Sequence, residues 1–444
     1  MWGYYVALAL RSSARSKALT ALVVLLLAFG VAACMVSYAV FRATTSDPIP
    51  ARSGRLYVPQ IDNFGPSPFG NEPPQTLSYI DAVALWQARK ASRQTLVYPT
   101  KWGVASGNPL VPDMSLGGDA VTADFFAMFD APFRFGGGWN ANDDAQHATV
   151  AVISRRLNDK LFGGRDSVGQ EIRMDSHVFR IAGVLDDWNP KPRFFDAAAY
   201  GVLEAFDDTG DIYIPFTRAI DMKKTSKYDL CPSYSDYSAD TGVSGFDNYL
   251  HSECVWIAAW VELATPAQVT GYRAYLRHYA QEQQRVGRFS WPPNGRLRNL
   301  MDWMAYLQVT PKASRLSVLV SASFLLIVLV NVVGLMLARF MRRAPEIGIR
   351  RALGASRAAV YRQFLIEGAT IGLVGGLFGV ALTVLGLWGI GGFFEPKIAR
   401  LVHADASLMA LTVLLATAAT LVSALYPTWR AAQTQPAWQI KINH

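Results

Sequence analysis

The run LSVLVSASFLLIVLVNVVGLMLA (Leu316–Ala338) decides the fold, because none of its 23 residues is charged. A helix of this length rises about 34 Å, enough to cross a bilayer core of about 30 Å. Three further uncharged runs have similar length: Ala18–Phe41, Gly368–Phe394 and Ala406–Tyr426. A soluble core helix is rarely apolar on every side for so long. The sequence therefore predicts four transmembrane helices, one before and three after a long intervening segment.

The first apolar run has a second interpretation, a cleaved lipoprotein signal. Lys17 precedes it, and Val31–Cys34 is similar to a lipoprotein cleavage box. The run stays apolar through Phe41, however, whereas a lipoprotein normally turns polar after the cysteine. An anchored helix is therefore favoured, and the lipoprotein signal is the alternative.

The segment between the first two runs, residues 43–313, has the patterns of a folded domain. His177–Ile181 and Asp211–Pro215 alternate apolar and polar side chains, which is typical of strands. Ser154–Phe162 and Ala267–Gln284 have helical spacing. We expect an α+β extracytoplasmic domain with two lobes.

Composition alone leaves the class of protein open. The 444 residues carry a net charge of +8, and 51% of them are hydrophobic. Only 17% are charged, against roughly 25% in an average soluble protein. These values exclude a disordered, collagen-like or disulfide-dense chain, while the positive charge first suggests a nucleic-acid partner.

The distribution of that charge instead indicates membrane topology. Residues 43–313 hold 26 basic and 30 acidic residues, and the rest of the chain holds 16 and 4. Short segments rich in Lys and Arg stay cytoplasmic. This places 1–17, the loop 339–367 and the tail 427–444 inside, and 43–313 and the short loop 395–405 outside. No nucleic-acid partner is expected.

The N-terminal segment has two interpretations. Trp2, Tyr5 and Leu10 precede the basic residues Arg11 and Arg15. The segment is either a short amphipathic helix on the inner leaflet or an ordinary flank of the first span.

Two of the three cysteines lie in the predicted outer domain. Cys231 and Cys254 are disulfide candidates, because an oxidising compartment allows them to pair. The alternative is a metal site with His251 and Glu253, but that grouping is weak. Cys34 lies in the first span.

The motifs of common enzyme classes are absent from the sequence. No Gly-Lys pair occurs, so a P-loop is excluded, and neither His-Glu-x-x-His nor Gly-x-Ser-x-Gly is present. We therefore predict no catalytic residue, no metal site and no cofactor in this chain.

The cytoplasmic loop RFMRRAPEIGIRRALGASRAAVYRQFLIEG (Arg339–Gly368) is the most informative stretch. Pro345 and Glu346 favour a helix start, and Gly354 is a plausible C-cap. Ser356 is a plausible N-cap for a second helix leading into the third span. The loop either lies on anionic lipid or presents a docking helix to a cytosolic partner, which the acid and the glycines favour.

The same stretch resembles a known family. The run EIGIRRALGA is similar to the coupling helix of MacB/FtsX-type (type VII, mechanotransmission) ABC transporter permeases. It comprises Glu346, Ile347, Gly348, Ile349, Arg350, Arg351, Ala352, Leu353, Gly354 and Ala355. Glu367 and the tail Tyr426–Ala432 also match the family, and Val121–Asp186 resembles the MacB-like periplasmic core domain. Two segments, Asn189–Asp208 and Tyr228–His251, depart from that pattern and leave the substrate open.

The resemblance implies a bacterial inner-membrane permease that works as a dimer, with an identical or a paralogous second permease. Two copies of a cytosolic ABC ATPase would bind ATP and Mg²⁺ and dock on residues 346–355. Their closure would move the spans and rearrange the outer domain, driving efflux from the periplasm. A periplasmic adaptor and an outer-membrane channel are further expected partners. The alternatives are lipoprotein release, control of cell-wall hydrolases, a ligand sensor or an enzymatic outer domain.

The third apolar run carries two rows of small residues. Gly372 and Gly376 form one row, and Gly375 and Gly379 form the other. Such rows favour close helix packing, either within the chain or at a dimer seam. Asn331 in the second run is a candidate for a hydrogen bond between helices.

Overall fold

The protein was analysed as a computed structural model. It describes residues 17–66, 71–105, 113–198, 204–232, 243–309, 312–390, 399 and 401–432. The chain divides into two compact units. The membrane unit comprises Met1–Thr45 and Thr310–His444, and the inserted domain comprises Ser46–Val309.

Four helices of the membrane unit, within the described residues, are long and apolar enough to cross a bilayer. They are the first span Lys17–Thr45, the second span Lys312–Met341, the third span Arg357–Gly389 and the fourth span Ala406–Ala432. Each helix continues past its uncharged run at one end or at both, because flanking charged residues such as Arg42 and Arg339 continue the helix. The third helix ends at Gly389, inside its run. Hydropathy thus locates the spans but not their ends.

The loop between the second and third spans is shorter than the sequence suggests. Residues 339–341 belong to the second span, and residues 357–367 belong to the third. A separate short helix, Ala344–Ala352, lies between them, and we call it the coupling helix. The helix that Ser356 is predicted to start is continuous with the third span, so the helix begins at Arg357 and its uncharged run at Gly368.

Hydroxyl groups inside the spans bond to their own helices. Thr383 donates to the carbonyl of Gly379, and Thr412 to that of Leu408, each over 2.7 Å. Such bonds satisfy polar groups where water is absent.

The inserted domain is built on one mixed sheet. Among the described residues, eleven strands join in the order β11-β1-β10-β3-β4-β9-β6-β8-β5, with β2 beside β10 and β7 beside β3 and β8. The strands are β1 Leu56–Gln60, β2 Leu77–Ser78, β3 Arg93–Ala105, β4 Met114–Val121, β5 Phe133–Gly136, β6 Val150–Ile153, β7 Glu171–Met174, β8 His177–Leu185, β9 Ile212–Pro215, β10 Val255–Glu262 and β11 Arg296–Asn299. The pairs β4–β9 and β6–β8 are parallel, and the other pairs are antiparallel. The predicted strands at 177–181 and 211–215 appear as β8 and β9.

Helices cover and connect this sheet. They are α1 Tyr79–Gln87, α2 Asp124–Met128, α3 Ala141–Ala145, α4 Arg155–Phe162, α5 Phe216–Asp221, α6 Val243–Leu250, α7 Pro266–Arg285 and α8 Leu300–Tyr306. The predicted helices at 154–162 and 267–284 are α4 and α7. Strands from both ends of the domain share one sheet, so no separate sheet marks a second lobe in its described part.

Local side-chain chemistry fixes the ends of these helices. The Ser154 hydroxyl accepts a hydrogen bond from the backbone N–H of Leu157, which starts α4. Gly163 follows α4 with φ of 63°, the left-handed conformation that glycine adopts without strain. Thr265 and Gln268 form a capping box at the start of α7.

The segment Asn189–Asp208, which is predicted to depart from the family pattern, places aromatic side chains of its described part in the domain core. Phe194 and Phe195 are fully buried, and both rings contact Phe129. Phe194 also contacts Trp260 of β10 edge to face. The segment is thus part of the core of the inserted domain.

A buried carboxyl pair lies where this segment meets the sheet. Asp119 of β4 and Asp196 are both about 1% exposed. Arg193 donates from Nε to Asp196 Oδ1 over 2.8 Å. Burial, followed by the charge of Asp196, raises the pKa of the Asp119 carboxyl well above its usual range. Asp119 is therefore the carboxyl of the pair that holds its proton more strongly, while Asp196 pairs with Arg193.

Candidate coupling site

Turn chemistry positions the coupling helix between two spans. Glu346 lies in its first turn, where a negative charge favours the helix dipole. Gly354, just beyond the helix, has φ of 97° and so allows the sharp turn that ends it. The Ser356 hydroxyl then accepts from the N–H of Ala359 over 3.1 Å and starts the third span. The residues predicted as caps occupy these cap positions.

One side chain anchors the coupling helix to the spans. Ile347 is 5% exposed and belongs to a buried apolar cluster with Phe340 of the second span and Val360 and Phe364 of the third. The Phe340 and Phe364 rings lie 4.4 Å apart between centroids. The coupling helix is therefore packed on both spans at once.

The opposite side of the coupling helix is exposed and apolar. Ile349 is 63% exposed, and Leu353, which follows the helix, is 83% exposed. The side chains of Arg350 and Arg351 lie outside the described part of the structure. Ile349 and Leu353 lie four residues apart and outside the apolar spans, which makes them a candidate contact surface.

A buried ion network joins the spans beside this helix. Glu367 of the third span is 2% exposed and pairs with Arg339 of the second span, which is 3% exposed. Arg343, in the turn before the coupling helix, lies 3.4 Å from the same carboxylate. Sequence reasoning counted these arginines only as topology signals and missed their pairing. The available signal was that only two acids, Glu346 and Glu367, lie between the second and third apolar runs.

The first glycine row of the third span faces the fourth span. A Cβ added at Gly372 would collide with Thr420 Oγ1 and lie 2.8 Å from Thr417 Cα. One added at Gly376 would lie 3.0 Å from Val413 Cα. The two helices approach so closely that only hydrogen fits at these positions.

The second row faces the first span. A Cβ added at Gly375 would lie 2.7 Å from Leu27 Cδ2. At Gly379 the nearest atom, Thr412 Cγ2, is 3.5 Å away and the Ala28 carbonyl oxygen is 3.7 Å away, which is ordinary contact. Packing within the chain accounts for Gly372, Gly375 and Gly376, whereas the space at Gly379 also admits alanine.

Two family models match the chain. The MacB-like periplasmic core domain matches residues 20–278, and the FtsX-like permease C-terminal region matches residues 318–436. The chain belongs to the MacB/FtsX family of ABC transporter permeases. The predicted fold class is confirmed: the permease is a bacterial membrane protein with one span before, and three after, a large α+β periplasmic-type domain.

The permease is similar to known macrolide exporters. MacB of Escherichia coli strain K12, a macrolide export ATP-binding/permease protein, is 25% identical over 382 residues. This match covers 85% of the permease and 52% of the relative, and the Shigella flexneri MacB matches equally. The permease thus spans about half the length of the curated relatives it matches. The crystal structure of the periplasmic region of MacB from Actinobacillus actinomycetemcomitans is 12% identical, with a TM-score of 0.36, and covers 60% of the permease and 97% of that chain.

Cys231 and Cys254 of the permease form a disulfide bond. Glu253 pairs with Arg288 over 2.6 Å. With the cysteines in the disulfide and Glu253 in this ion pair, the structure does not present His251, Glu253 and Cys254 together as a ligand set. Within the described residues, no group of three or more His, Cys, Asp or Glu side chains is placed to hold a metal ion.

The inserted domain of the permease also contains a cavity of about 420 Å³. Its walls include Phe64, Tyr228, Leu230 and Tyr306, together with Ala198. The two segments that are predicted to depart from the family pattern, 189–208 and 228–251, each contribute residues to this cavity.

Proposed function

We propose that the chain is the permease subunit of an ABC transporter whose separate cytosolic ATPase docks on the coupling helix. The observation that supports this proposal is that the coupling helix is buried on one side and exposed on the other. Ile347 fixes one side to the second and third spans, while Ile349 and Leu353 extend away from the chain. A surface of this kind transmits a push from a bound partner to both spans.

In this proposal ATP and Mg²⁺ are bound by the ATPase subunits. Two ATPase copies would serve two permease copies. Their closure on ATP would shift the coupling helices and rearrange the inserted domains outside, without substrate passing between the spans. Both termini would lie in the cytoplasm, as the charge distribution predicts.

Export from the periplasm is the proposed direction, because the E. coli relative is named a macrolide exporter. A periplasmic adaptor and an outer-membrane channel would complete such a system. We propose the cavity beside Tyr228 and Leu230 as the site that determines substrate specificity, because its walls include residues of segments 189–208 and 228–251, which are predicted to depart from the family pattern.

The second permease copy would contact the second span. Asn331 is exposed there, among exposed apolar residues such as Ile327 and Val330. An amide in hydrocarbon requires a hydrogen-bond partner. A second copy, or a paralogue, would supply that partner.

The docking proposal is tested by co-purification of the full chain with its ATPase. Ile349→Glu should abolish co-purification, because it puts a charge into the apolar contact. Val286→Glu is the matched control, since Val286 of the inserted domain is also 63% exposed. Retention of the ATPase by the Ile349 variant, or equal loss in both variants, would refute docking at this helix.

A further inference from the structure

A basic cavity of about 420 Å³ opens where the first span begins and the second span ends. It is distinct from the apolar surface on which the ATPase is proposed to dock. Its lining consists of Lys17, Ala18 and Leu19 of the first span, Arg339 of the second span, and Arg342, Arg343 and Glu346 next to it.

The cavity lies at the boundary of the hydrocarbon core. Lys17 immediately precedes the uncharged run 18–41, and Arg339 immediately follows the run 316–338. Charged side chains at the ends of such runs reside at the level of the lipid headgroups. Ala18 and Leu19 form the apolar part of the wall on the side of the bilayer.

The charge around the cavity is unbalanced. Four basic side chains line it, and the acids nearby are Glu346 and the buried Glu367, which pairs with Arg339 and Arg343. Residues 1–16 and 433–444 contain no Asp or Glu, so these segments bring no side-chain carboxylate to the site. Among the described residues, neither Lys17 nor Arg342 has an ion-pair partner.

We propose that this cavity binds the phosphate headgroup of an anionic phospholipid from the surrounding leaflet. Basic pockets between membrane helices on the cytoplasmic side bind such headgroups. The apolar wall at Ala18 and Leu19 directs the acyl chains into the bilayer, and this favours a lipid over free phosphate. The bound lipid joins Lys17 of the first span to Arg342 and Arg343 next to the second span.

The test is a lipid titration of the purified full chain without its ATPase, so that its outcome is independent of docking. The chain is stripped of lipid in nonionic detergent, and phosphatidylglycerol binding is followed by native mass spectrometry. One phosphatidylglycerol should bind saturably, and phosphatidylcholine should not. In Lys17→Gln/Arg342→Gln the affinity for phosphatidylglycerol should fall roughly 30-fold, because each basic residue near an anionic surface contributes about fivefold.

The matched control is Arg357→Gln/Arg362→Gln, which removes two exposed charges of the third span that do not line the cavity. Its affinity should stay within about twofold of the unaltered chain, as should that of Arg342→Lys, which keeps the charge. Equal losses in the two double variants would show diffuse attraction and overturn the proposal. Displacement of the lipid by an equal concentration of inorganic phosphate would also overturn it, by assigning the site to free phosphate. If the double variant does not fold, Arg342→Gln against Arg342→Lys gives the same comparison for one charge.

Discussion

Glu367→Gln is the perturbation that most directly tests how the coupling site is held together. The carboxylate is 2% exposed and faces Arg339, itself 3% exposed, with Arg343 at 3.4 Å. Its removal leaves a buried guanidinium without its counter-charge. Breaking a buried pair in this way costs about 3–5 kcal/mol.

The double variant Arg339→Met/Glu367→Leu removes both charges and keeps similar side-chain volumes. It therefore distinguishes the effect of an unpaired buried charge from the effect of lost packing. Apolar residues of similar volume in place of a buried ion pair are often neutral or stabilising. Phe340 and Phe364, which pack at the same level, give them apolar neighbours. We therefore expect the double variant to be more stable than Glu367→Gln alone.

The assay is thermal unfolding of the purified full chain in detergent. Unfolding is monitored through the exposure of residues of the membrane unit to solvent. A loss of about 3–5 kcal/mol corresponds to a midpoint roughly 10 °C lower for a unit of this size. An unchanged midpoint in Glu367→Gln would refute the reasoning. So would a double variant that is as unstable as the single one, because charge imbalance would then not be the cause.

Three further predictions concern the spans and the inserted domain. Gly372→Ala should lower the unfolding midpoint of the purified chain, because its new Cβ would collide with Thr420. Gly379→Ala should leave the midpoint unchanged, because its Cβ would lie 3.5 Å from the nearest atom. Replacing Cys231 and Cys254 by Ser should destabilise the inserted domain by about 3 kcal/mol in urea unfolding, for a sequence separation of 23; an unchanged midpoint would contradict this. The pKa of Asp119 is raised in the folded state, so stability from this group is present at low pH and falls as pH rises from about 4 toward the folded pKa. Asp119→Asn should flatten that decline between pH 5 and 8, and an unaltered slope in tryptophan-fluorescence unfolding would assign it to other groups.

Hydropathy and local turn chemistry predict much of this molecule from its sequence. Uncharged length locates the spans, and Gly354 and Ser356 mark where one helix ends and the next begins. The uncharged run of the third span begins at Gly368, but its helix begins after Ser356, as that N-cap predicts. The charged residues between the two positions do not break the helix.

The long-range pairings could not be predicted, for a different physical reason. Periodicity says which residues share a face but not which helix covers that face, so the glycine rows left two partners open. The same limit hid the pairing of Glu367 with Arg339, because the two lie on separate spans. The order of the strands in the sheet likewise depends on contacts far apart in sequence, which a local pattern does not contain.

The packing of the coupling helix changes which elements would carry force. The second span runs directly into the loop that carries the coupling helix. The structure adds that Ile347 also contacts the cluster containing Phe364, on a third span that is one continuous helix from Arg357 to Gly389. Glu367 joins the same two helices through Arg339. A push on the coupling helix would therefore move the second and third spans as a pair. Since Gly372 of the third span is locked against the fourth, that motion would reach the fourth span as well.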